Sequence, residues 1–397
     1  MVSTAWWRDL SASALVAGFV AVLVGYTSSV AIVFQAALAL GATSAQTASW
    51  MWALGLAMGL SCIALSLHYR QPVLTAWCTP GAALLAATQG VSLPEATGAF
   101  VVCAGLIIAV GATGWFERVM DRVPMAVAAA LLAGVLTRFG LDAVLSARTA
   151  PGLVGVMALA FLAGRRWWPR YAVPGVLLAG VAVAAWQGRV ALAPLLGLGA
   201  AAWATPVFVM PQFSLGSVVG VALPLFIVTM ASQNLPGFAV LRASGYQPPV
   251  QPALLVTGVG STLMAPFGSH AINMAAITAS IVTGPDCHPD PKKRWLVAWP
   301  YLVLYGLIGL MAASFVHVLG ALPKDVITAI AGLALFSPLM GGVTAMMKEP
   351  RDIESALVTF LVTASGLTIM GVGSAFWGLV AGLVLFGARH LIQQKRG

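Results

Sequence analysis

The sequence predicts an all-α polytopic membrane protein with 14 transmembrane segments, built as a 7+7 inverted repeat with half-helices at segments 3 and 10. The composition supports this first, because the 397 residues are 60% hydrophobic and only 8% charged. The mean hydropathy of +0.95 is too high for a soluble domain, whose surface must carry enough polar atoms to stay in solution. The other two observations are the clustering of the basic residues between apolar runs and the interruption of two of those runs by Pro and Gly.

The apolar runs give the segments in order. A span needs about 20 apolar residues, or fewer where it is broken, so several of these segments are too short to cross alone. The predicted segments are Leu10–Ala39, Ala48–Leu67, a broken Val73–Ala87, Glu95–Thr113, Pro124–Phe139, Gly152–Ala163, Tyr171–Trp186, Gly216–Phe238, Ala253–Met264, a broken Gly268–Thr283, Trp295–Leu319, Val326–Met346, Ile353–Leu367 and Val372–Leu391. Residues 1–187 form the first repeat, 188–215 a connector rich in Pro and Gly, and 216–397 the second repeat.

The basic residues fix the expected orientation. If the N-terminus is cytoplasmic and the segments alternate, only Arg138, Arg148, Arg189 and Lys324 fall outside, and the other sixteen of the 20 Lys and Arg fall inside. Cytoplasmic loops carry such an excess of Lys and Arg. We therefore expect a bacterial-type inner (plasma) membrane protein with both termini in the cytoplasm. The first apolar run is longer than a signal-peptide core, so we interpret it as the first span.

Segments 3 and 10 are expected to form a pair. Seven segments per half give the two halves opposite orientations, which is the inverted repeat of many transporters. A shift of 190 residues maps Trp77 onto Phe267 and Thr79 onto Ser269, so the two broken segments correspond. Matches of this kind arise easily by chance in Ala- and Gly-rich sequence.

The tenth segment, APFGSHAINMAAITASI (Ala265–Ile281), predicts a loop that feeds a short helix beginning at Ser269–His270. In that helix Asn273 would follow His270 by three residues and share its face. The third segment has Pro80-Gly81 inside its apolar run. Irregular backbone at membrane depth occurs where it is buried in protein or lines a cavity, although a simple kink is the alternative.

His270 is the histidine expected at a mid-membrane helix start. Its unperturbed pKa lies close to physiological pH, so it is a candidate proton carrier, with a hydrogen bond to substrate or a structural role as the alternatives. If it titrates, the proton and a bound anion would each favour the binding of the other.

Amides and hydroxyls supply further candidates. Gln233 and Asn234 lie one turn before Pro236-Gly237, where they could bind a carboxylate or satisfy carbonyls that the proline frees. The pseudo-symmetric first span offers Ser28, Ser29 and Gln35, for which hydrogen bonding between helices is the alternative.

The positions of the acidic residues limit the kinds of ligand that the protein is expected to bind. All eleven Asp and Glu fall in or beside predicted loops or span ends, so no buried carboxylate is expected to bind a cation or relay protons. A neutral pocket of amides and helix ends suits an anion. The sequence contains no C-x-x-C pair, metal motif, P-loop or G-x-S-x-G, so we expect no metal, no cofactor and no enzyme. The scattered basic residues also argue against nucleic-acid binding.

Three runs resemble the benzoate–proton symporter (BenE) family: QNLPGFAVLRASGY, AWCTPGAALL and PFGSHAINMAAITASI. The family in turn resembles the uracil/xanthine permeases and the SulP-type anion transporters. Where the nucleobase permeases carry an acid on segment 8, this chain has Ser232-Gln233-Asn234, which favours a carboxylate. The resemblance implies a core domain from segments 1–4 and 8–11, a gate domain from segments 5–7 and 12–14, and a substrate held where segments 3 and 10 meet.

The resemblance therefore implies import of benzoate or a related aromatic carboxylate with a proton, by alternating access. The carboxylate would lie between the half-helix starts at Thr79, Pro80 and Gly81 and at Ser269–His270, with the ring on Trp77 and Phe267. A nucleobase or other anion transporter, a facilitative anion channel and a membrane-embedded enzyme stay open as alternatives. The expected partners are the substrate, the proton and the lipid bilayer, with a homodimer left open.

Overall fold

The computed structural model describes residues 11–27, 29–116, 124–169, 172–191, 203–285, 287–369 and 374–394. Nearly all regular structure in these residues is helical. The α-helices longer than three residues are α1 (Ala12–Thr27), α2 (Val30–Ala39), α3 (Ser44–Tyr69), α4 (Thr79–Ala87), α5 (Leu93–Thr113), α6 (Met125–Leu145), α7 (Pro151–Trp167), α8 (Ala172–Trp186), α9 (Leu223–Thr229), α10 (Leu235–Ala243), α11 (Val250–Met264), α12 (Ile277–Val282), α13 (Ala298–Leu310), α14 (Ala312–Ala321), α15 (Lys324–Met346), α16 (Ile353–Ser365) and α17 (Ser374–Gln394).

Seven helical stretches of the described chain are long and apolar enough to cross a membrane, and the number rises to eight if α13 and α14, bent by 60°, form one span. The expectation of a polytopic helical membrane protein is therefore confirmed. The count of fourteen segments stays a prediction. Several predicted boundaries, among them Leu10, Tyr171 and Val372, lie outside the described residues.

The long helices begin where the sequence supplies caps. Thr43 and Gln46 form a capping box at the start of α3, and Ser92 and Glu95 form one at the start of α5. Each box satisfies N–H groups that would otherwise lack an intrahelical partner. The helix α5 ends at Gly114, which has a left-handed φ of 66°.

Two predicted spans are less regular than expected. The run Leu10–Ala39, predicted as continuous, contains a break between α1 and α2, where Ser29 has φ −145° and ψ −4° and its Oγ donates to the Gly25 carbonyl (3.0 Å). Serine side chains bond nearby backbone and so compete with the helix ladder. In the predicted eighth span, π-helical turns at Val218–Ala222 and Met230–Asn234 flank α9.

The predicted tenth segment departs most from expectation. After a 3₁₀ turn at Ala265–Phe267, the chain runs through the strand β2 (Ile272–Met274), and α12 begins only at Ile277. The prediction of a helix starting at Ser269–His270 is therefore wrong. The physical reason is that β2 pairs antiparallel with β1 (Thr75–Trp77), and this pairing satisfies backbone groups that a helix would otherwise bond internally.

The helices pack in two groups. Helix α6 lies against α15 and α16, α16 lies against α17, and α7 packs on α8. The other group is formed by α1 to α5 and by α11 to α13, with both strands inside it. Helix α4 contacts α6, and α2 contacts α15, so the two groups meet beside the strand pair. The naming of these groups as core and gate domains stays a prediction, as do the repeat boundaries.

Gly268 sets the direction in which the chain enters β2. Its φ is +104°, and a Cβ at this position would overlap the indole ring of Trp50. The carbonyl of Phe267 accepts a hydrogen bond from Ser49 Oγ (3.0 Å) on α3, which fixes the turn from the other side. A residue with a side chain is therefore excluded at this position both by the backbone angle and by the neighbouring ring.

We predict that Gly268→Ala destabilises the protein far more than Gly90→Ala. Gly90 also has a positive φ, +72°, but no atom lies within 4 Å of a Cβ built there. The control should lose only about 1–2 kcal/mol, the cost of a left-handed conformation. Thermal unfolding of the two detergent-purified variants measures this, and equal losses would contradict the packing argument.

Candidate functional site

A cavity of about 390 Å³ lies between the two helix groups. Small-molecule sites typically have volumes of about 300–1,000 Å³. The first group contributes Val24, Gly25, Ser29, Met58, Ala76, Trp77, Thr79, Pro80, Gln233, Ala275, Ala276, Ile277, Thr278, Ser280, Ile281 and Tyr305; the second contributes Pro169, Val173, Pro174, Ala334, Leu335, Ser337 and Pro338. None of these described residues carries a charge.

Trp77 forms the most tightly fixed wall of the cavity. It is the last residue of β1, and its indole N–H donates to Ser29 Oγ at 2.8 Å. Its ring lies 5.7 Å from the Tyr26 ring and 6.3 Å from the Tyr305 ring. Because Ser29 also donates to Gly25, the break between α1 and α2 orients the indole. Because its N–H is bonded and its ring packs on two tyrosines, the Trp77 indole presents a fixed apolar face to the cavity.

The N-terminus of α4 reaches the same cavity. Thr79 and Pro80 line it, and Cys78 caps the helix by accepting a hydrogen bond on Sγ from the Gly81 N–H (3.2 Å). Pro80 occupies the first turn, where its missing N–H has no helical partner to lose. The positive end of the helix dipole therefore points at the cavity. Gly81 lies outside the lining, and a Cβ there would meet Leu225 at 2.5 Å, so its place reflects close packing.

The adjacent amides Gln233 and Asn234 lie in a π-helical turn and, as successive residues of a helical turn do, point to different surroundings. Gln233 is half-buried and lines the cavity. Asn234 is fully buried, and its Oδ1 accepts the Met274 N–H of β2 at 2.9 Å. Of the two predicted ligands, the structure brings Gln233 to the cavity and uses Asn234 to satisfy the strand.

His270 is fully buried and lies outside the cavity lining. Its ring packs between Trp50 (6.2 Å) and Phe100 (6.3 Å), and its Nε2 lies 3.1 Å from the Cys78 carbonyl oxygen. Since a carbonyl only accepts, Nε2 must carry the hydrogen. Nδ1 has no hydrogen-bond partner among the described atoms. His270 is therefore one peptide unit from Thr79, which does line the cavity.

Ser269 and Asn273, both fully buried, also lie outside the lining. The Asn273 side-chain amide is oriented so that both its oxygen and its nitrogen are hydrogen-bonded. The oxygen accepts from the Cys78 N–H and the nitrogen donates to the Met274 carbonyl, each at 3.0 Å. The expectation that His270 and Asn273 share a helical face is wrong, because residues three apart in extended chain point to opposite sides.

The remaining predicted residues are spread out. Phe267 packs on Trp52 (5.9 Å) and Phe208 (5.8 Å), away from the cavity lining. Gln35 donates from Nε2 to the Ile327 carbonyl at 3.3 Å and so joins α2 to α15. Ser28 lies outside the described residues. The pairing of Trp77 with Phe267 as the two walls of one ring site is thus not what the structure contains.

Several lining residues had not been predicted. Tyr305, Thr278 and Ser337 line the cavity from three separate helices. Pro338, inside α15, was the available signal, because a proline within a helix leaves a carbonyl without its usual donor. The described residues contain no group of three or more His, Cys, Asp or Glu that could hold a metal ion.

Comparison with known proteins identifies relatives along nearly the whole chain. A family model described as "Benzoate membrane transport protein" matches residues 8–387. The chain is 47% identical over 382 residues to "Inner membrane protein YdcO" of Escherichia coli (strain K12), covering 96% of this chain and 97% of that protein. It is 37% identical over 380 residues to the "Benzoate membrane transport protein" of Acinetobacter baylyi (strain ATCC 33305 / BD413 / ADP1), covering 96% and 95%.

Solved structures share the fold. Murine Slc26a9, an anion transporter in the inward-facing state, aligns with a TM-score of 0.63 at 14% identity, over 97% of this chain and 69% of that chain. The transmembrane domain of the cyanobacterial bicarbonate transporter BicA aligns with a TM-score of 0.55 at 15% identity, over 95% and 98%. At such identities the likeness concerns the fold. It agrees with the predicted resemblance to SulP-type transporters.

We predict different effects for alanine substitutions of the adjacent amides Gln233 and Asn234. Asn234→Ala leaves the buried Met274 N–H without an acceptor and should lower the free energy of unfolding by about 1–3 kcal/mol. Gln233→Ala removes a group that faces the cavity and should weaken ligand binding with little loss of stability. Thermal unfolding and binding, measured on both purified variants, test the assignment. Equal stability losses would overturn it.

Proposed function

The chain belongs to the benzoate membrane transport protein family, and on that premise we propose that it imports benzoate or a related aromatic carboxylate with a proton, by alternating access. The proposal places it in the bacterial inner membrane with both termini cytoplasmic. The observation that carries the proposal is the uncharged cavity in which an aromatic wall, Trp77, stands beside the N-terminus of α4.

The chemistry of that cavity suits an aromatic anion. The carboxylate would lie at Thr79 and Pro80, where the positive end of the α4 dipole favours negative charge. The ring would pack on Trp77 and Tyr305, and the Gln233 amide could donate to a carboxylate oxygen. A buried acid at this position would repel the anion, and the lining among the described residues contains none. The same feature disfavours the nucleobase alternative, since the nucleobase permeases that the chain resembles carry an acid on segment 8 that would bind a ring N–H.

Proton coupling is assigned to His270. Its Nε2 already donates to the Cys78 carbonyl, and its unpartnered Nδ1 can take up a proton without breaking that bond. The charge would then sit one peptide unit from the proposed carboxylate position at Thr79. Two opposite charges separated by little solvent favour each other's binding. Co-transport of one proton also removes the cost of moving an anion alone, about 2.3 kcal/mol per 100 mV of membrane potential.

Alternating access fits a contact between the two helix groups at one level of α15. Pro338 lines the cavity, while Ile327 lies eleven residues earlier on α15, about 16 Å along a helix. At that level Gln35 donates to the Ile327 carbonyl and ties α2 to α15. The cavity is also lined by Pro169, which follows Arg165 and Arg166 in the chain, and by Ile281, two residues before Thr283, whose carbonyl accepts from Arg294. We place these arginines in the cytoplasm. We interpret this conformation as inward-facing.

We predict that proteoliposomes containing the protein accumulate labelled benzoate when an inward proton gradient is imposed. Accumulation above the external concentration distinguishes a symporter from a channel, which cannot concentrate. At fixed pH, potassium-diffusion potentials should leave uptake unchanged, since one anion and one proton move no net charge. A clear dependence on potential would rule out one-to-one stoichiometry. Unlabelled nucleobases should fail to compete, and strong competition by them would favour the nucleobase alternative.

For His270 we predict that His270→Ala abolishes proton-driven accumulation. His270→Gln is the matched variant, because its amide can still donate to the Cys78 carbonyl but cannot carry a proton. It should fold and exchange labelled for unlabelled benzoate across the membrane, yet fail to accumulate it under a pH gradient. Normal pH-driven accumulation by His270→Gln would remove this residue from the coupling mechanism.

A further inference from the structure

The second helix group contributes one distinctive polar patch to the cavity. Of its described lining residues, Ser337 alone carries a side-chain hydrogen-bonding group, and the others are proline, alanine, valine or leucine. Ser337 is exposed and lines the cavity. The patch lies on α15, in the helix group opposite the one that holds Trp77 and Thr79.

The backbone beside Ser337 adds an acceptor. Pro338 lies inside α15 and has no N–H, so the carbonyl of Ala334, four residues earlier, lacks its helical donor. Ala334 and Pro338 both line the cavity. The wall thus offers a hydroxyl that can donate and a carbonyl that can only accept. A carboxylate would bond the first and be repelled by the second, so this patch is a poor second anion site.

We propose that Ser337 and the Ala334 carbonyl form a subsite for a hydroxyl group on the ring of the substrate. A phenolic O–H can donate to the carbonyl and accept from Ser337 at once, which neither a methyl group nor a carboxylate can do. The inference rests on the proposed function, because it assumes that the carboxylate binds at the α4 N-terminus in the opposite helix group. It makes hydroxybenzoates preferred substrates over apolar benzoates of equal size.

The test compares competitors of matched shape against labelled benzoate uptake in proteoliposomes. The competitors are 3- and 4-hydroxybenzoate and the corresponding methylbenzoates, which differ in hydrogen bonding but little in size. The quantity measured is the ratio of inhibition constants, methyl over hydroxyl, at each ring position. For the unaltered protein we expect at least one position to show a ratio of about three to ten, the effect of one net hydrogen bond.

Two variants remove the patch in different ways. Ser337→Ala deletes the hydroxyl, and Pro338→Ala supplies an N–H to the Ala334 carbonyl; each should bring the ratio close to one. Ser280→Ala is the control, because this cavity-lining serine already donates to its own helical turn at the Ile277 carbonyl (2.6 Å). The Ser280→Ala variant should keep the ratio of inhibition constants of the unaltered protein. If either patch variant fails to fold, the other still decides.

The outcomes separate the two proposals. If benzoate is not transported at all, the proposed function fails and the competition assay cannot test the subsite. The ratio is then measured by equilibrium binding of the same four acids to detergent-purified protein. If benzoate is transported but both ratios are near one in the unaltered protein, the subsite is overturned. A ratio above three that survives both patch variants also overturns it.

Discussion

Two short paired strands lie inside this membrane protein, and their unpaired backbone N–H and C=O groups need hydrogen-bond partners from the surrounding helices. Strands β1 and β2 satisfy each other along one edge only, and groups on their outer edges face protein that contains little water. Side chains from neighbouring helices satisfy them: Ser261 accepts from Ile272 N–H (2.8 Å), Asn234 from Met274 N–H (2.9 Å), and Tyr301 donates to the Thr75 carbonyl (2.7 Å). The bonds draw α11, the π-helical turn and α13 onto the strand pair.

The same requirement positions the site. Because β1 is held on both edges, its last residue, Trp77, and the helix that follows have little freedom. The indole N–H then needs an acceptor, which Ser29 supplies at the break between α1 and α2. The aromatic wall and the α4 N-terminus are therefore fixed before any ligand arrives, and such preorganisation lowers the entropy lost on binding. A site made of dipole ends and neutral groups is also one from which an anion can be released.

The sequence predicted features that depend on neighbouring residues, and it failed for features that depend on contacts between residues far apart in the chain. Composition predicted the membrane fold. The break at Pro80 and Trp77, a tryptophan away from the span ends, pointed to two residues that do line the cavity, although Gly81 does not. The helix expected at Ser269 was wrong because strand pairing with residues near 75, far away in the chain, decides that conformation. For Gln35 the alternative, a hydrogen bond between helices, is what the structure contains, and the sequence did not decide it because the partner, the Ile327 carbonyl, lies 292 residues away. The sequence does not distinguish Gln233 from Asn234, because which of them faces the cavity depends on how their turn packs against β2.

The two walls of the cavity differ in a way that suits transport. The wall from the strand-bearing group is stiffened by the bonds at the strand edges, whereas α15 meets that group at α2, where Gln35 donates to the Ile327 carbonyl, and α6 meets it at α4. A single such bond contributes about 0.5–1.5 kcal/mol, a few times RT at most. A stronger tie there would hold one conformation so firmly that a small substrate could not shift the equilibrium, since a ligand shifts a two-state balance only by its differential affinity. For the proposed alternating access, a rigid binding wall and a partner wall that can move are therefore complementary requirements: the first would set affinity, and the second would keep both states within reach.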